Sequence, residues 1–307
     1  MKSANPSKNK KIKRVLPHPQ RIRSLADLPI WLPEYLRAHG FRPPPFSLGL
    51  FKEAIRYGYL DWPRRIARWV AGNDVLDIGC GHGLHFVGFL FAGATSYTGV
   101  DPSLRMDEPT IKDFRGVHGK FVKTSHTARS IADSHPAVRF IPSELAAIPP
   151  EQKFDLVVMH NVTEHLMRIG EDFARIHDLL RPGGILIYQH PNYYAWSGHH
   201  MKPRNLTEII ESDPEQQKYF DWGHATERAD WPDDIRLFQN RIRLCDLHAL
   251  TSRHFRIECW TEWLSRIPEG GARLTDEIRA RHPGLTEQDF LTKIVICIAH
   301  KRVITSR

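Results

Sequence analysis

The sequence predicts an α/β protein built on a doubly wound, mostly parallel sheet of seven strands. Three observations predict it. Short apolar runs alternate with segments of helical period along most of the chain. Those runs are apolar on both faces, as parallel strands buried under helices require. The first of them runs straight into Val75–Phe86, "VLDIGCGHGLHF", which packs three glycines into five residues.

The chain begins with a stretch of Ser, Asn, Pro and Lys, taken here as residues 1–28. Eight basic residues precede the first acid, Asp27, which leaves 35 basic against 35 acidic in the remainder, so the +8 formal charge is that of a tail. With little to bury, the tail is expected to be disordered. It reads either as a solubilising terminus or as a weak contact with nucleic acid or an anionic membrane surface. It has no apolar stretch of the kind a signal peptide needs. No apolar run in the 307 residues is long enough for a membrane span. The four cysteines, 80, 245, 259 and 297, are widely spaced, which suits a reducing, cytoplasmic location and disfavours a cysteine-built zinc site.

Residues 29–72 read as a helical cap broken by prolines, with Ile66, Trp69 and Val70 at helical spacing. A core follows over 73–190. Its strands are "NDVLDIGC", "SYTGVD", "VRFIP" at 138–142, "KFDLVVMH" at 153–160 and "GGILIYQH" at 183–190, with helices at about 84–92 and in "EDFARIHDLL". Residues 191–245, rich in aromatics, histidine and proline, break the rhythm and read as an insertion over the sheet's carboxyl edge after strand five. Residues 246–307 complete the sheet with "FRIECWTEW" and "TKIVICIAHKR". Oligomeric state is not legible.

In such a sheet, ligands sit at the carboxyl ends of the strands, near the first one. The sixth position of a dinucleotide fingerprint is Leu84 instead of glycine, and no Walker-type Gly-Lys-Ser/Thr follows. Asp77, just before Gly79, repels a pyrophosphate and favours a ligand carrying positive charge. Bare glycine backbone admits close approach, and the helix start holds a small carboxylate. A ligand with an amine, a carboxylate and a sulfonium meets these demands: S-adenosyl-L-methionine. Asp77 also has a plain structural reading, as the cap of the glycine turn.

The sequence resembles the class I S-adenosylmethionine-dependent methyltransferases, over roughly residues 65–200 and with five motifs in order. "VLDIGCGHG" is similar to their first motif (Asp77, Gly79, Cys80, Gly81, Gly83) and "YTGVDPS" to the second. The resemblance implies a Rossmann-like methyltransferase fold and a ribose contact for Asp101, whose carboxylate takes two hydroxyl donors in a fork. "VRFIPSELAAIP" resembles the adenine segment and puts Glu144 and Leu145 there, although Ser143 stands where glycine is usual and Glu144 equally reads as a solvent-facing loop residue. "KFDLVVMHNVTEHL" and "LLRPGGILIYQHP" resemble the next two motifs, with His160 and Asn161 at the methionine end.

Methyl transfer from a sulfonium needs an aligned acceptor and, for a hydroxyl, a base. His190, His165 and His199 are the candidate bases, each with an alternative structural reading. No metal ligand set is assigned: adjacent His199 and His200 seldom share one ion, although Glu164 nearby keeps a divalent ion open. Tyr193, Trp196 and His200 are candidate acceptor contacts, and the aromatics equally read as the insertion's own small core. The insertion also loosely resembles those of small-molecule and glycan methyltransferases. The leading expectation is therefore O-methylation of a small molecule, such as a sugar, glycan precursor or natural product.

A nucleic-acid acceptor served by the tail ranks second. Strand four ends in "MHNV" where base amino methylation uses Asn/Asp-Pro-Pro-aromatic, and no Pro-Cys nucleophile follows. A non-catalytic scaffold ranks last, because Gly79, Gly81, Gly83 and Asp101 are all retained.

Overall fold

The structure is a computed structural model that describes residues 16, 18–115, 120–226, 239–264 and 270–302. One sheet of seven strands runs through it in the order β5-β2-β1-β6-β7-β9-β8. Its strands are β1 (Asp74–Ile78), β2 (Ser96–Val100), β5 (Val138–Ile141), β6 (Phe154–His160), β7 (Leu180–Pro191), β8 (Phe255–Leu264) and β9 (Thr292–Lys301). The first five are parallel, while β9 runs antiparallel to both its neighbours. Strand order departs from β1 in both directions, so the crevice between β1 and β6 is the switch point where such sheets bind ligands.

Alternation along the strands divides the core into two apolar layers. Val75, Val158, Ile187 and Ile298 face a layer that holds the cap helices and the helix after β1, α5 (His85–Phe91). Leu76, Val157, Leu186 and Tyr188 face the opposite layer, with Phe173, Ile176 and Leu179 of α7 (Ile169–Leu179) and Leu247. The cap consists of α1 (Leu28–His39), α2 (Leu48–Tyr57), α3 (Asp61–Arg65) and α4 (Ala67–Val70). Ser47 starts α2 by accepting the Leu50 N–H, and left-handed Gly58 ends it.

Three features depart from the sequence reading. The disordered segment was expected to reach residue 28, yet Leu16 and Ile22 are buried, and the Arg65 guanidinium donates to the Leu16 carbonyl. Leu16 and Ile22, with the partly buried Leu25, anchor this stretch to the core; residues 1–15 and 17 lie outside the described ones. Second, the poorly patterned stretch after β2 holds a small antiparallel hairpin, β3 (Thr110–Lys112) and β4 (Phe121–Lys123), followed by α6 (Ala128–Ser134). Third, the small aromatic core does not belong to the insertion alone. Trp196 and Trp222 share a small core with Leu274, Ile278 and Phe290, from the connection between β8 and β9. Arg273 ties the two pieces by donating to both carboxylate oxygens of Asp221 at 2.5 Å. Among the described residues no helix is long and apolar enough to cross a membrane.

Candidate active site

β1 ends in the glycine turn, and its three glycines do two different jobs. Gly79 and Gly83 have positive φ, and a Cβ on them would stand 2.2 Å from Val162 and 2.4 Å from Phe140. They are bare because protein presses on them. Gly81 also has positive φ, at +58°, but a Cβ there would meet nothing within 4 Å. It is bare toward open space, where a ligand can come against the main chain. Cys80, between them, turns inward: its Sγ would meet a Cβ on Gly99 at 2.8 Å, and burial pushes its thiol well up.

Asp77 lies beneath the turn, 1% exposed. It accepts a hydrogen bond from the Tyr97 hydroxyl at 2.8 Å, and His85 Nδ1 stands 3.7 Å away. So little of Asp77 is exposed that a ligand at the turn has almost no direct contact with it. Asp101, at the end of β2, is half-buried. One oxygen accepts the Gly81 N–H at 2.8 Å, the other the N–H and hydroxyl of Ser103. A carboxylate has about four acceptor positions; three are taken here, so one stays open, and a diol would take a second in place of the Ser103 hydroxyl. Glu144 points outward and pairs with Arg168 at 3.3 Å, whereas Leu145 is buried and opens a short 3-10 turn.

Across the crevice, the His160 ring stacks on Trp62 of the cap, centroids 4.7 Å apart. Burial, with His85 and Arg65 nearby, pushes His160 down to about 3. Asn161 adopts φ +60° and accepts from the Gln189 side chain. The chain then turns through Thr163–His165. Glu164 is 1% exposed, neither carboxylate oxygen has a hydrogen-bond partner, and burial pushes it up to about 8. His165 Nε2 stands 3.6 Å from it, and the His200 ring is 5.7 Å from that of His165.

The predicted site residues therefore separate into groups. Gly81 and Asp101 frame one end of the crevice, and His160 and Asn161 stand at the end of β6. His165 and His200 converge on Glu164. His190 is linked to the same turn through Thr163 Oγ1 at 2.8 Å, and burial pushes it down to about 3, too weak a base near neutrality. His199 does not join them: it is buried, stacks on Tyr219 and accepts the Met201 N–H through Nδ1. Trp196 is 1% exposed and Tyr193 donates its hydroxyl to the His224 carbonyl, both inside the insertion. Sequence reasoning missed Tyr97, His85 and Trp62. The position of His85, two residues after Gly83, was the one available signal.

The model of the methyltransferase domain family matches residues 51–252, from the cap to the helix before β8. The chain belongs to the methyltransferase domain family. Its five ordered motifs and seven-stranded sheet are those of the class I, S-adenosylmethionine-dependent type, and the open cradle at Gly81 fits that cofactor. Among curated relatives of this methyltransferase, the tRNA U34 carboxymethyltransferase of Methylococcus capsulatus is 32% identical over 158 residues, 50% of this chain and 44% of that protein. The protein of the same name from Shewanella piezotolerans is 30% identical over 133 residues, 42% of this chain and 36% of its own. The methyltransferase thus spans less than half the length of these relatives. A solved S-adenosylmethionine-dependent methyltransferase from Mesorhizobium loti aligns at 17% identity and a TM-score of 0.44, over 82% of this chain and 100% of its own.

Proposed function

We propose that this chain transfers a methyl group from S-adenosylmethionine to a nucleotide of an RNA, with tRNA as the first candidate. The observation that carries the acceptor is the β3–β4 hairpin. Phe121 on it is 67% exposed, and its ring meets His82 of the glycine turn edge-on at 5.4 Å. Phe114, 48% exposed, stacks on His85 of the same loop–helix junction. Lys112 and Lys123 on the hairpin's strands and Lys120 just before β4 are all exposed, with Lys112 directly across from Phe121. Exposed rings among cations at the mouth of a cofactor crevice suit an unstacked base and its phosphates. The names of the curated relatives, and the basic residues before Asp27, support the same reading. The small-molecule acceptor ranks behind it, since Tyr193 and Trp196, expected to clasp such an acceptor, are spent on the insertion's interior.

When bound, S-adenosylmethionine supplies an electrophilic methyl on a sulfonium. In this reading Asp101 takes the ribose hydroxyls and the main chain at Gly81 closes on the cofactor. Glu144 and Leu145 edge the adenine, and His160 and Asn161 flank the methionine end. Asp77 contributes charge through the turn. The acceptor lies toward Glu164, His165 and His200.

The test incubates the protein with methyl-deuterated S-adenosylmethionine and either tRNA or a small-metabolite fraction, then identifies labelled nucleosides by mass spectrometry. Label in RNA is expected, with Phe121→Ala lowering kcat/KM for RNA by roughly 5- to 100-fold, as loss of one stacked base implies. Label found only in the metabolite fraction refutes the RNA acceptor.

A further inference from the structure

We propose that Glu164, His165 and His200 form a binding site for a first-row divalent transition metal. One ligand atom from each lies within 4.8 Å of the others. Glu164 is buried, and its two carboxylate oxygens have no hydrogen-bond partner. An ionised carboxylate in that setting needs a cation or a full set of donors to offset its desolvation. Its own backbone N–H offsets part of that cost without reaching hydrogen-bond geometry. Among the described residues, the imidazoles of His165 and His200 are placed to share an ion with it.

The backbone under the cluster is held rigidly. Asn240 donates its side-chain amide to the carbonyls of Thr163 and Leu166 at 2.7 and 3.0 Å, and its N–H to the Glu164 carbonyl at 2.8 Å. The turn that carries Glu164 and His165 is thus clamped on both sides. His200 comes from the insertion with φ +61°, a conformation that costs a non-glycine residue free energy and points to a constraint on where its ring goes.

Bonds of about 2.0–2.2 Å at tetrahedral angles put two ligands of one ion about 3.3–3.6 Å apart. His165 Nε2 and Glu164 already stand at 3.6 Å, and the widest pair, within 4.8 Å, has to close by roughly 1 Å as the side chains turn onto the ion. One carboxylate with two imidazoles selects Mn, Fe, Co, Ni or Zn over Mg or Ca, which prefer oxygen shells. Three protein ligands also leave positions for an acceptor oxygen, which the ion would orient. The site stands whether the acceptor is RNA or a small molecule.

The experiment titrates the full chain, freed of any histidine tag and stripped with a chelator, with Co²⁺. Binding is read by calorimetry and by visible d–d absorption. One ion per chain is expected, and Glu164→Gln and His200→Gln should each weaken binding tenfold or more, while exposed His248→Gln leaves it intact. Each variant is also titrated with S-adenosylhomocysteine, so that a lost fold is told apart from a lost site. Absence of saturable Co²⁺ binding, or binding untouched by both Glu164→Gln and His200→Gln in chains that still take S-adenosylhomocysteine, overturns the proposal.

Discussion

The division of labour among the glycines makes a prediction that stability and binding measurements can separate. Gly79→Ala places a methyl in a left-handed residue and 2.2 Å from Val162 Cγ2, well inside contact distance. The conformational term is about 1–2 kcal/mol, and overpacking adds about 1–3 kcal/mol. Gly79→Ala should therefore lower unfolding free energy in urea by about 2–5 kcal/mol. Gly81→Ala carries the first term alone, about 1–2 kcal/mol, because nothing stands within 4 Å of the added carbon. Its penalty should fall on the cofactor instead, with S-adenosylhomocysteine affinity weakened roughly 5- to 100-fold if the ligand must absorb the same overlap. A double-mutant cycle sharpens the test. Val162→Ala removes the clashing carbons, so Gly79→Ala/Val162→Ala should be about 1–3 kcal/mol more stable than the two single effects predict. Strict additivity, or a Gly81→Ala variant that binds like the wild type, would refute this division.

Two further outcomes follow from the same geometry. Asp101→Asn keeps the shape but replaces one acceptor oxygen with a donor, and should cost S-adenosylhomocysteine roughly tenfold or more in affinity, since hydrogen bonds to a charged group contribute about 1.5–3 kcal/mol; calorimetry reads this directly. His160 titrates near 3 in the folded chain, below the unfolded value of about 6.5. Its contribution is therefore complete above pH 6.5 and lost as pH falls toward 3. Between pH 6 and 4 the wild type should lose up to about 1.4 kcal/mol per pH unit more than His160→Gln. Parallel urea midpoints for the two across that range would sink the assignment.

How much of this was legible depends on the distance over which each feature is decided. The seven sheet strands could be read from local runs: β1, β2, β6, β7 and β9 are largely buried on both faces, while the edge strands β5 and β8 keep an apolar run despite exposed charged residues. The β3–β4 hairpin could not, since three-residue strands leave no period to find. Gly81 was legible as a cradle from its motif, but its difference from Gly79 and Gly83 depends on Val162 and Phe140, which lie far along the chain. The same holds for Asp77: its partner Tyr97 is set by the β1–β2 register, which pairs Asp77 with Gly99. Trp196 looked like a lid aromatic because its neighbours in sequence are polar and aromatic. Its neighbours in space, Leu274, Ile278 and Phe290, lie beyond the next strand.

That last arrangement bears on how such a protein can be recombined. The part over the carboxyl edge is assembled from two stretches, with β8 lying between them in the chain. A chimera that takes residues 191–226 from one homologue and 270–291 from another would juxtapose two halves of an interior that never evolved together. Trp222, fully buried here, would lose its packing against Phe290. Exchanges meant to retarget the acceptor should therefore move both stretches as a pair, and shuffled libraries with a single crossover between them should be enriched in unfolded members.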